Sequence, residues 1–149
     1  MGKRIISQAR GRGGPTYRVR KKAFVYKIAY NSKNRDVLTA VVLKLIHSRA
    51  HSAPLAKIQI KETKDMFYNV AAQGLYEGQE IEINTEKIEY GNVVALKHIP
   101  LGVRVFNIEK RPSDGGKMVR VGGGYATVNK KAKGTVTLLM RNKKLVTLN

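Results

Sequence analysis

Lys110, Arg111, Lys117 and Arg120 crowd one short stretch, EKRPSDGGKMVR, whose other residues include Pro112, Ser113, Asp114, Gly115 and Gly116. Closely spaced cations, on a backbone that glycine and proline keep out of regular structure, are suited to holding phosphate oxygens. Arg104 and Lys97 precede this stretch. Gly122 to Gly124 follow it, and there a neighbour can approach more closely than any Cβ would allow. The chemistry on offer is binding rather than bond-breaking. Gly115-Gly116-Lys117 fails as a triphosphate-binding loop, because Arg111 stands where the first glycine is needed and Met118 replaces the magnesium-holding Ser or Thr. His47 and His51 have the four-residue spacing of paired metal ligands on a helix. Ser48, Ser52 and Pro54 predict a loop there instead, with no third ligand near, so His51 and Arg49 are read as polyanion contacts. His98, beside Ile99-Pro100, is read as structural or as a phosphate contact. Carboxylates are few and scattered, and no nucleophile–base order is present. No enzyme, cofactor or metal is expected.

The elements that must position these cations are strands. Arg104, Phe106 and Ile108 alternate with Val103, Val105 and Asn107, which predicts a strand leading into the basic loop. Earlier, Val37 to Ile46 is an apolar, β-branched run that predicts a buried strand. Leu55 to Lys61 alternates cleanly, with Ala56, Ile58 and Ile60 on one face and Lys57, Gln59 and Lys61 on the other. Met66 to Ala71 predicts a third strand, and Glu80 to Ile83 a fourth, after turn signals at Gln73-Gly74 and Glu77-Gly78. Later strands are predicted at Tyr125–Val128, Thr135–Met140 and Lys144–Leu148, with Lys130 to Gly134 as a basic turn. In the first set, from Val37 to Ile83, short strands at this spacing predict a small antiparallel barrel.

Charge is distributed unevenly. The 149 residues carry 29 Lys+Arg against 10 Asp+Glu, a net charge of +19. By segment the balance is +11 for residues 1–35, −2 for 36–90 and +10 for 91–149. A slightly acidic globular stretch thus lies between two basic ones, the footprint of a polyanion-binding protein. Residues 1–35 lack a sustained hydrophobic period and are expected to order only on a partner. Their cations Lys3, Arg4, Arg10, Arg12, Arg18, Arg20, Lys21, Lys22, Lys27, Lys33 and Arg35 would neutralise phosphates, with Tyr17, Phe24, Tyr26 and Tyr30 available to stack on bases. Cysteine is absent, so no disulfide framework exists. No apolar run reaches membrane-spanning length. A basic start without an apolar core argues against a secretory signal.

The stretch from Gly91 to Val128 also resembles a known family. Gly91-Asn92, Ile99-Pro100, Gly102, Val105, Asn107-Ile108-Glu109, Pro112, Asp114-Gly115-Gly116-Lys117 and Arg120 fall in the order of the signature region of the large-subunit ribosomal protein family number two. The opening MGKRIISQARGRGGPTYR resembles the archaeal branch, and Ala53-Pro54-Leu55-Ala56-Lys57 fits the archaeal and eukaryotic type. The resemblance implies an all-β fold: a basic extended tail over residues 1–35, an OB-like barrel over 36–83 and an SH3-like barrel over 84–149. It also implies a structural role in the large ribosomal subunit, in the cytoplasm, supporting assembly and the RNA around the peptidyl transferase region. Its partners would be large-subunit ribosomal RNA and neighbouring ribosomal proteins, with no membrane and no small-molecule substrate.

Family members continue beyond the position of Asn149, through the end of the second barrel and a glycine-rich, histidine-containing extension. The chain is therefore expected to be a fragment, a split protein, a shortened member or an engineered version, and the sequence does not choose among them. A ribosome-assembly or translation factor is the alternative function, and a DNA-compacting protein a third. The loop from Lys110 to Arg120 lacks aromatic residues and is expected to read RNA shape rather than base identity.

Overall fold

Period-2 alternation becomes strand wherever one face can be buried, and the second and fourth strands of the first sheet follow that rule. The computed structural model describes residues 2, 5–19, 23–30 and 36–149. Strands β1 (Leu38–Ile46), β2 (Leu55–Ile60), β3 (Met66–Val70), β4 (Glu80–Thr85) and β5 (Val93–Val94) form a five-stranded sheet in the order β3-β2-β1-β4-β5. All pairs are antiparallel except β4 with β5. In β2, Ala56, Ile58 and Ile60 are buried and Lys57 and Gln59 are half-exposed, as the alternation predicts. Ala40 of β1 lies between Ile60 and Ile81, and these residues with Val42, Ala56, Ile58 and Ile83 make the first core.

β1 is less buried than its apolar sequence predicts. Leu43, 41% exposed, lies on the face opposite the buried Ala40 and Val42, and a register shift with β2 between Val42 and Lys44 leaves Lys44 exposed beside it. A bulge of this kind bends the strand, and here it curls the sheet into half a barrel. β5 extends this sheet although it lies past residue 84 in sequence, with Val93 against the first core and Val94 against the second.

The second sheet runs β6 (Arg104–Val105), β7 (Ala126–Ala132), β8 (Thr135–Met140) and β9 (Leu145–Leu148), all antiparallel. Its core gathers Ile99, Ile108, Ala126, Val128, Val136 and Leu138. Two expectations are corrected here. The strand predicted from Val103 to Ile108 is regular only at Arg104–Val105, because Asn107 adopts φ +48 and breaks the extended run. The turn predicted over Lys130 to Gly134 is only Lys133-Gly134. β7 continues to Ala132 through a register shift after Val128, and Gly134, at φ +76, supplies the left-handed residue of a two-residue connection.

A third cluster joins the units. Ala53, Leu55 and Val70 of the first unit pack with Ile28 from the N-terminal segment, and Phe106 of the second unit covers them. Residues 26–30 thus depart from the expected tail. Ile28 is buried and bridges to Tyr68, Ala29 N–H donates to the Tyr68 carbonyl at 3.1 Å, and the Tyr26 and Tyr68 rings meet at 4.8 Å. Aromatic and β-branched residues interleaved among the charges give this end of the segment enough apolar surface to dock. Upstream, Ile6–Ala9 forms one helical turn (α1) that runs into an exposed 3-10 turn at Arg10–Arg12. Among the described residues no helix is long and apolar enough to cross a membrane.

Candidate nucleic-acid interface

The basic loop is folded by its acids. Glu109 and Asp114 are the two carboxylates of residues 91–149, and both turn onto the backbone of their own loop. Asp114 accepts N–H bonds from Lys110 (3.1 Å), Arg111 (3.2 Å) and Gly116 (3.0 Å). Glu109 accepts from Ser113 (3.0 Å) and Gly115 (2.9 Å). The short polar turn that sequence marks as irregular is therefore a specific conformation, with the side chains of Lys110, Arg111 and Lys117 exposed around it.

Burial acts to raise the Asp114 pKa, but the three backbone N–H bonds and the nearby Lys117 outweigh it, so the carboxyl sits below its ordinary value of 3.8. A group whose folded pKa is depressed adds stability above its unfolded pKa and loses it as pH falls through the folded one. Amide-exchange protection at Lys110, Arg111 and Gly116 should therefore hold at neutral pH and fail only below the ordinary Asp range. In Asp114→Asn that acid transition should disappear. Protection that fades at the same pH in both proteins would remove Asp114 from this role.

Beneath the loop lies a hydrogen-bonded junction. The Arg120 Nε donates to Asn107 Oδ1 at 2.9 Å, and its Nη2 reaches the carbonyls of Ile28 (3.1 Å), Gly115 (3.3 Å) and Gly116. Asn107 Nδ2 donates to Asn69 Oδ1 of β3 at 2.5 Å, and Tyr30 Oη donates to the Asn107 carbonyl at 3.3 Å. Burial, with the charges of Glu109 and Asp114, pushes the Tyr30 hydroxyl far above its ordinary value and keeps it a donor. Burial also lowers the Arg120 pKa somewhat, but guanidinium stays charged in proteins. The glycines are part of this junction. A Cβ on Gly116 would lie 2.5 Å from Asn107 Oδ1, and one on Gly122 would lie 2.8 Å from the Ser52 carbonyl.

The predicted cations fall into distinct settings. Lys27, His51, Lys117 and Arg120 surround one cleft between the N-terminal segment and the basic loop. Arg10, Arg12, Arg18 and Arg49 are exposed, and the Arg10 guanidinium lies 5.8 Å from the centre of the Tyr17 ring. Lys97 and Arg104 are exposed on the second unit and do not line the cleft; Arg104 stacks over Tyr125 at 4.5 Å. Lys3, Arg4, Arg20, Lys21, Lys22, Lys33 and Arg35 lie outside the described residues. Sequence reasoning missed Asn69, and placed Asn107 in the strand alternation and the signature region without giving it a role.

Residues 3–84 match the family model described as Ribosomal Proteins L2, RNA binding N-terminal domain, and residues 89–149 match Ribosomal Proteins L2, C-terminal domain. The chain belongs to the ribosomal protein L2 family. It is similar to large ribosomal subunit protein uL2 of Pyrobaculum islandicum, 43% identical over 129 residues covering 86% of this chain and 52% of that protein. The corresponding protein of Pyrobaculum neutrophilum is 46% identical over 132 residues, with the same coverage. That of Methanosphaera stadtmanae is 41% identical over 133 residues, covering 86% of this chain and 55% of the relative. This L2-family chain thus spans about half the length of the curated relatives it matches.

Proposed function

We propose that the chain is a structural constituent of the large ribosomal subunit that binds large-subunit ribosomal RNA. One observation carries the reading. In the basic half the only two acids are consumed in shaping a loop, which leaves Lys110, Arg111 and Lys117 exposed beside a docked segment that brings Lys27 to the same face. Exposed cations on a rigid β scaffold neutralise phosphates and orient a protein on RNA. The proposed contacts are these residues with Arg49, His51, Lys97, Arg104 and the bases of the N-terminal segment. Arg120 would act mainly from beneath, by holding the loop. Neighbouring ribosomal proteins are the second class of partner, and the cytoplasmic ribosome the location. The tail, first barrel and second barrel would divide near residues 35 and 84, with Val93–Val94 reaching back.

Sedimentation tests this directly. The chain should remain with large subunits through a high-salt wash. An assembly or translation factor would be released, and a DNA-compacting protein would leave subunits for duplex DNA.

A further inference from the structure

The cleft between the N-terminal segment and the basic loop has a volume of about 430 Å³, within the range of about 300–1,000 Å³ of small-molecule sites. Its lining combines an aromatic pair with cations. The Phe24 ring stands edge-to-face on His51, with centroids 5.4 Å apart and planes at 89°, yet Phe24 is 55% exposed. His51 is itself fixed by a 2.8 Å hydrogen bond between its Nδ1 and the hydroxyl of Ser48, a buried residue. The exposed residues Lys27 and Lys117 line the same cleft, as does Arg120, whose guanidinium is committed to the junction. Asp114 also lines it, but its oxygens already accept three backbone N–H bonds, so it does not present a bare carboxylate.

A solvent-exposed aromatic ring packed on a second ring, with two lysines lining the same cleft, matches a base joined to a phosphate. We propose that this cleft receives a single unpaired nucleotide of a folded RNA, with its base on Phe24 and its phosphate between Lys27 and Lys117. The inference rests on the RNA-binding reading and sharpens it. The loop alone reads shape, whereas loop and docked segment together select an extrahelical base. Unpaired bases are the ones that aromatic side chains can reach, because stacked bases in an RNA helix bury both faces.

The test uses the full chain and three RNA hairpins: one fully paired, one with a single bulged adenosine and one with an abasic bulge. The bulged hairpin should bind more tightly than the other two. Phe24→Ala should weaken that complex about 5- to 150-fold, the equivalent of about 1–3 kcal/mol per stacked base, and leave the other two unchanged. Phe24→Trp, which restores a stacking face, should restore the preference. The joint substitution Lys27→Ala with Lys117→Ala should weaken all three. Equal binding of the three hairpins to the unaltered chain overturns the cleft while RNA binding stands. Failure of all three to bind overturns both. Full displacement of the bulged hairpin by free adenosine monophosphate would assign the cleft to a free nucleotide and overturn the RNA-borne one.

Discussion

Arg120→Ala should melt about 5–15 °C below the unaltered protein. The guanidinium ties together the docked segment at Ile28, the loop at Gly115 and Gly116, and Asn107, which in turn bonds Asn69 of the first sheet. Hydrogen bonds to charged groups contribute about 1.5–3 kcal/mol each, and their loss is not additive. Arg120 is only half-buried, and water would replace some of the bonds, so a total of about 2–4 kcal/mol is expected. In a protein of this size each kcal/mol moves the midpoint by about 2–4 °C. Arg120→Lys should recover little, because one ammonium cannot reach acceptors that a planar fork spans. Calorimetry checks the shift, and RNA affinity measured well below the melting point separates the two roles. A variant with an unchanged midpoint and weakened RNA binding would make Arg120 a phosphate contact and not a structural clamp.

Removal of residues 1–23 should have the largest effect on affinity. A protein that neutralises six to ten phosphates loses about 10³–10⁵ in affinity between roughly 50 and 200 mM salt. Residues 1–23 carry Lys3, Arg4, Arg10, Arg12, Arg18, Arg20, Lys21 and Lys22, and no acid. Their loss should flatten the plot of log affinity against log salt by about 0.7–0.9 for every phosphate they held. The cut must stop there. A deletion through residue 35 would also remove Ile28, which is buried against Leu55 and Val70, and Tyr30, whose hydroxyl serves the junction. It would thus confound folding with binding. Binding titrations at several salt concentrations decide the matter, and an identical slope in the shortened protein would leave the electrostatics to the two β units alone.

Local pattern and long-range contact divide the determinants of this protein between them. The strands at Leu55–Ile60, Glu80–Thr85 and Thr135–Met140 were legible in sequence, because alternation of apolar and polar residues is a local consequence of burying one face of a pleated strand. The expectation of a polyanion partner also comes from sequence, since the charge of +19 and its division between the ends do not depend on the fold. The family was legible from the residues between Gly91 and Arg120. The tertiary structure alone decided which cations face solvent. Lys117 and Arg120 stand three residues apart with the same sign of charge, yet one is exposed and the other turns inward to a carbonyl 92 residues away in sequence. No periodicity carries that information, because it depends on the docking of Ile28 against Tyr68 and on the left-handed turn at Asn107 that aims its amide at Asn69. The cleft has the same origin. Phe24, His51 and Lys117 come from three separate stretches, and only packing of the N-terminal segment across both units brings an aromatic ring into one cleft with a basic loop.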